Sequence, residues 1–97
     1  MSPLEPSTVL KRRSDVRYRR IEGEAVVLRQ SSAEVLVLNG VGADVLDLAD
    51  GMRPVGEWVD ALDGEYEVDR ETLARDLLEF AAELEEAGVL ERVEAER

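Results

Sequence analysis

At 97 residues the chain is long enough for one compact domain and too short for two, and a hydrophobic content of 44% lifts it clear of disordered compositions. It contains no histidine and no cysteine, which excludes disulfides, thiolate metal sites and histidine-activated nucleophiles. Its 23 acidic residues against 12 basic ones leave a net charge of −11, the wrong sign for a general nucleic-acid binder, whose phosphate contacts need a basic surface.

Residues 1–14 carry Ser2, Pro3, Pro6, Ser7 and Thr8 with little periodicity and are expected to form a flexible N-terminal arm. They show no basic-then-apolar signal pattern, and no later run reaches the roughly 18 apolar residues of a membrane span, so a cytoplasmic protein without membrane contact is expected. Val16, Tyr18 and Arg20 alternate with Arg17, Arg19 and Ile21, predicting a strand that turns at Glu22-Gly23. Ala25–Leu28 and Ala33–Leu38 read as the second and third strands of an antiparallel meander.

From Asn39 the period changes. Asn39 can cap a short helix bearing Val41, Val45, Leu48 and Ala49, ended by Asp50-Gly51. Pro54 suits the first position of a second helix, where Val55, Trp58, Val59 and Leu62 share one face before Asp63-Gly64. Asp69 can cap a third helix running to about Ala87, with Gly88 as terminator. Val89–Val93 can add a short extended piece, and 94–97 is a charged tail expected to fray. Three strands followed by three helices is the segregated pattern of an α+β domain.

The charge is uneven along the chain. Residues 1–29 hold seven basic and four acidic side chains, net +3, whereas residues 30–97 hold five basic and nineteen acidic, net −14. Either a basic hairpin lies against an acidic helical body, or a basic face meets an acidic partner protein.

On the third helix, apolar residues from Leu73 to Ala87 cover an arc of roughly 180°, wider than the roughly 100° needed for one core contact. Phe80, Leu73, Leu84 and Leu77 make the expected core side. Ala74, Ala81 and Leu78 form a small-residue flank, with Glu85 among them and Glu71 and Arg75 along the lip. Space beside a helix and next to a strand can hold an added peptide backbone, unless the rest of the fold fills it. In the third strand Leu36 and Leu38 point to one face and Val35 and Val37 to the other, so both faces are apolar. The second face needs a cover: the N-terminal arm, a second copy in a homodimer, or a partner. If the strand is also an edge, its free N–H and C=O groups are a template for another strand.

Catalytic signatures are absent. The acidic residues Glu79, Glu83, Glu86, Asp44, Asp47 and Asp50 fit solvated helix faces rather than a metal site. The sequence holds no calcium loop, phosphate loop or dinucleotide fingerprint, its five serines lack a nucleophile elbow, and no Asp-Ser-Leu motif offers a phosphopantetheine attachment point. No catalytic residue, metal or cofactor is expected.

The runs Val35-Leu36-Val37-Leu38-Asn39, Ala43-Asp44-Val45-Leu46-Asp47-Leu48-Ala49-Asp50-Gly51, Val55-Gly56-Glu57-Trp58-Val59 through Tyr66, and Arg75-Asp76-Leu77-Leu78-Glu79-Phe80 with Leu84, Gly88 and Leu90 together resemble the PqqD family, also known as the RiPP precursor recognition element. The resemblance covers about residues 16–93 and places a PqqD-like domain at 15–93. Pro54 and Ala49 stand where relatives often have a threonine and a cysteine. The resemblance implies a winged-helix-like domain that binds the leader segment of a ribosomally made precursor peptide and presents it to a modifying enzyme, often a radical-SAM maturase, in pyrroloquinoline quinone, lasso-peptide or other maturation systems. By that resemblance the leader adds a strand along Ala33, Glu34, Val35, Leu36, Val37 and Leu38, and lies against Ala74, Leu78, Ala81 and Glu85 of the third helix. With Glu71 and Glu85 near the lip, the leader is expected to carry a basic residue there. A structural or dimerisation module is the alternative, followed by a winged-helix nucleic-acid protein, whose recognition helix should be basic where 55–63 and 70–87 are acidic.

Overall fold

The computed structural model describes residues 3–93; the expected frayed tail, 94–97, lies outside the described residues. Strands β1 (Val9–Arg12), β2 (Val16–Ile21), β3 (Glu24–Arg29) and β4 (Glu34–Leu38) precede helix α1 (Gly40–Leu48). Then follow β5 (Asp50–Pro54), α2 (Val55–Leu62), α3 (Arg70–Glu86) and β6 (Leu90–Arg92). The expected three-stranded antiparallel sheet is β2-β3-β4, and with three helices it makes the expected α+β, winged-helix-like arrangement. Glu22 and Gly23, both at positive φ (51° and 85°), form the β2–β3 turn, a backbone whose twist matches that of the flanking strands.

A second sheet, ordered β5-β1-β6, was not expected. Part of the arm expected over 1–14 is its central strand: Leu10 is fully buried, with Lys11 opposite Asp50 on one side and Glu91 on the other. Upstream, the Val55 amide donates to the Thr8 carbonyl and the Gly56 amide to that of Pro6, which ties the segment to the start of α2. The reason is chain closure. β5 and β6 flank α2 and α3 in sequence, and β1, lying between them, satisfies the backbone of both.

The starts of α1 and α3 follow the sequence, whereas Pro54, expected at the first position of the second helix, is instead the extended residue just before α2. The Asn39 side chain accepts from the Gly42 amide at 3.0 Å, and that of Asp69 from the Thr72 amide at 2.8 Å, each occupying an otherwise orphan donor. Gly88, at φ +82°, ends α3. The core lies between the helices and the inner sheet face and includes Leu10, Val27, Leu46, Trp58, Leu77 and Leu90.

Arginines from both sheets tie them to α1. Arg20 reaches Asp44 at 3.2 Å and Asp47 at 2.7 Å, while Arg12 donates to the Leu46 and Ala49 carbonyls at the helix end. Tyr66 donates to Asp44 from the α2–α3 loop, and burial together with that bond pushes its phenol up to about 12 from 10.0. A phenol raised in the folded state contributes stability that is complete below pH 10.0 and lost as pH rises through about 12. The melting-temperature advantage of the wild type over Tyr66→Phe should therefore hold to pH 10.0 and shrink towards 12; an advantage that persists there would show that the phenol's proton does not matter.

Among the described residues no helix is long and apolar enough to cross a membrane, and no group of acidic, histidine or cysteine side chains is arranged to hold a metal ion.

Candidate functional site

β4 is an edge strand: β3 pairs along one side, from Arg29 opposite Glu34 to Ala25 opposite Leu38, and among the described residues no strand pairs along the other. Its side chains divide as the alternation requires. Leu36 and Leu38 are half-buried against the core, whereas Val35 and Val37 are 62% and 63% exposed. Ala33, also assigned to this strand from sequence, instead takes a left-handed φ of 58° in the preceding turn, so the strand begins at Glu34.

At the C-terminal end of β4 the chain turns into α1, and there α3 comes close. Gly42 makes this possible: a Cβ at that position would lie 2.6 Å from Leu38 Cβ and 2.9 Å from Phe80 Cζ. The adjoining cavity of about 260 Å³ is lined by Asn39 and Val41 from the start of α1 and by Asp76, Glu79, Phe80 and Glu83 from α3. Helical spacing carries the same flank of α3 on to Ala87, half-buried like Phe80. At the other end Arg29 pairs with Glu34 at 2.8 Å and packs on Gly88, where a Cβ would fall 2.7 Å from the guanidinium carbon. The result is an apolar strip of Leu36, Leu38, Phe80 and Ala87 beside an open strand edge. Its helical rim carries Asp76, Glu79 and Glu83, none of them in an ion pair among the described residues.

The residues expected on α3 do not all reach this strip. Leu73, Leu77, Ala81 and Leu84 are the buried line of the helix, so Ala81 belongs to the core and Phe80 to its margin. Ala74 and Leu78 fall on the opposite flank, lining a separate cavity of about 160 Å³ with Pro6, Val55, Gly56, Val59 and Arg70. Glu85 is engaged by Arg92 at 2.7 Å beside a third cavity containing Pro3 and Leu4. Glu71 and Arg75 are exposed in the first turns. The structure thus brings Glu34, Leu36 and Leu38 together with Phe80, Asp76, Glu79, Glu83 and Arg29, which sequence reasoning did not select. The spacing of Asp76, Phe80, Glu83 and Ala87 was visible, but nothing local marked it as the flank facing β4.

The family model described as "Coenzyme PQQ synthesis protein D (PqqD)" matches residues 24–90, more than two thirds of the chain. The chain belongs to the PqqD family. Among PqqD-family relatives, the "PqqA binding protein" of Gluconobacter oxydans (strain 621H) is 38% identical over 61 residues, 63% of this chain and 64% of its own length. Two solved structures share the PqqD-family fold over nearly their whole length. One is described as TbiB1 in complex with the TbiA(beta) leader peptide, with TM-score 0.77, 32% identity, and 88% of this chain and 99% of that one covered. The other is lasso peptide synthetase B1 complexed with the leader peptide, with TM-score 0.71, 29% identity, and 84% and 96% covered. The heterocyclase TruD shows the same fold at TM-score 0.63 and 22% identity, within 12% of its length.

Proposed function

We propose that this chain binds the leader segment of a ribosomally made precursor peptide and presents it to a modifying enzyme, performing no chemistry itself. The observation that carries the reading is the open edge of β4 beside the Leu36, Leu38, Phe80 and Ala87 strip, in a fold two of whose solved relatives are bound to leader peptides. A leader laid along β4 adds a fourth strand to the sheet, with Glu34 to Leu38 supplying the backbone partners.

Magnitudes divide the work. On a five-residue edge, alternate residues offer outward N–H and C=O groups, giving about 4–6 kcal/mol at roughly 1 kcal/mol per hydrogen bond before the cost of association. A micromolar complex needs about 8 kcal/mol. Side chains seated over Leu36, Leu38 and Phe80 supply the remainder at about 1.5–3 kcal/mol each, and they confer the selectivity that backbone pairing lacks. Holding the leader beside an enzyme, often a radical-SAM maturase in such systems, raises the precursor's effective concentration at the reacting centre. The reading puts the protein in the cytoplasm, where a newly translated precursor is first available.

The basic leader residue expected opposite Glu71 and Glu85 is better matched by Asp76, Glu79 and Glu83, because Glu85 is already satisfied by Arg92. In an amide NMR titration, a synthetic leader from a precursor of the PqqA or lasso type should shift residues 34–38 and the Asp76–Ala87 flank. Affinity should fall as salt is raised. Shifts confined to the body of α1 and to α2 would overturn the site, and salt-independent affinity would remove the charge contribution.

A further inference from the structure

Leader binding leaves the outer face of the β2-β3-β4 sheet unused. Pairing sets Arg17, Leu28 and Val35 in one row across this face and Arg19, Val26 and Val37 in the next, with Ile21 beyond them. Exposure runs from 37% at Leu28 through 47% at Ile21 to more than 60% at Val35 and Val37, while Val26 is half-buried. A shallow depression of about 310 Å³ lies here, lined by Arg17, Arg19, Ile21, Val26 and Leu28 together with Tyr18.

The charges on this face are unmatched. Arg20 and Arg29, pointing inward from the same hairpin, each find carboxylates. Among the described residues Arg17 donates only to the Ser14 and Val16 carbonyls, and Arg19 has no ion pair. Glu24, opposite Ile21 at the hairpin end, pairs with neither. Carboxylates outnumber basic groups 23 to 12 in this chain, so two arginines without one, set among the exposed Ile21, Leu28, Val35 and Val37, form a distinct local surface.

We infer that this face docks an acidic, amphipathic surface of a partner protein, which on the leader-binding reading is the modifying enzyme. Charge selects the occupant. A second copy related by a two-fold axis would bring both pairs of arginines into one apolar contact, with Glu24 at the hairpin end as the one carboxylate of these rows. A nucleic acid would meet two exposed rows of aliphatic side chains on a chain of net charge −11. An apolar ridge flanked by glutamates or aspartates satisfies both the rows and the arginines. The face is also continuous with the leader site. A strand added to β4 extends the sheet, and its outward side chains fall next to Val35 and Val37, so a partner seated on this face touches chain and leader together. Leader occupancy should therefore tighten docking.

The probe is an amphipathic helical peptide with leucines along one side and glutamates along its flanks, tested against the same peptide with lysines replacing the glutamates. The glutamate peptide should shift the amides of Arg17, Arg19, Val26 and Leu28, and the lysine variant should bind at least about tenfold more weakly. Arg17→Glu with Arg19→Glu should reverse that preference while leaving leader affinity unchanged; Arg19→Ala is the milder variant should the double change disturb the hairpin. Equal binding of the two peptides, binding of neither, or a wild-type dimer in sedimentation that Val37→Asp dissociates would each overturn the proposal. A leader that leaves residues 34–38 unshifted while the glutamate peptide still binds would reject the leader site and keep this one.

Discussion

Alanine at Gly42 should destabilise the protein by about 1–2 kcal/mol and weaken leader binding, although alanine is the better helix former. The new methyl would sit 2.6 Å from Leu38 Cβ and 2.9 and 3.1 Å from two carbons of the Phe80 ring, all inside normal contact. Overpacking of this kind costs about 1–3 kcal/mol, and the propensity gain returns at most about 1 kcal/mol, less in a first turn whose amide is already capped by Asn39. The Phe80 ring can rotate away. Leu38 Cβ is fixed to the backbone and cannot, so relief comes from parting the end of β4 from α1. Urea denaturation should show a lower midpoint at unchanged slope. Phe80→Leu should recover only the part of the loss due to the ring, a non-additivity measurable in a double-mutant cycle. An unshifted midpoint for Gly42→Ala would show that the strand and helix are not in register at this point.

The elements legible in the sequence are those specified by neighbours in the chain. The caps at Asn39 and Asp69, the stop at Gly88, the Glu22-Gly23 turn and the opposite facing of Leu36 and Val35 all rest on contacts within a few residues, and each is found. The β5-β1-β6 sheet was not legible because its strands are four, five and three residues long and β5 contains both glycine and proline. Their pairing comes from distant backbone rather than from alternation. Strand parity divides the basic hairpin in a way its charge gradient did not announce: Arg20 points in and pairs with the acidic α1, while Arg17 and Arg19 point out. For the candidate site, the strand half was readable and the helix half was not. α3 is apolar on both flanks, and which flank meets β4 depends on α2, whose Val55 and Val59 take the Ala74 and Leu78 side.

That ambiguity sets up the sharper mutational contrast. Phe80→Ala should weaken leader binding by about tenfold to a hundredfold, equivalent to about 1.4–2.7 kcal/mol, because the ring provides much of the apolar surface beside β4 and is only half-buried in the free protein. Aromatic anchors of this kind commonly dominate small interfaces. Leu78→Ala also removes half-buried apolar surface from the same helix, but from the cavity shared with Pro6, Val55 and Val59. It should lower stability by about 1–2 kcal/mol and leave leader affinity within about twofold, a change below 0.5 kcal/mol. Isothermal titration with one leader peptide, paired with denaturation of each variant, separates the two effects. Were Leu78→Ala to abolish binding and Phe80→Ala to spare it, the leader would lie between α2 and α3, and the open edge of β4 would need another explanation.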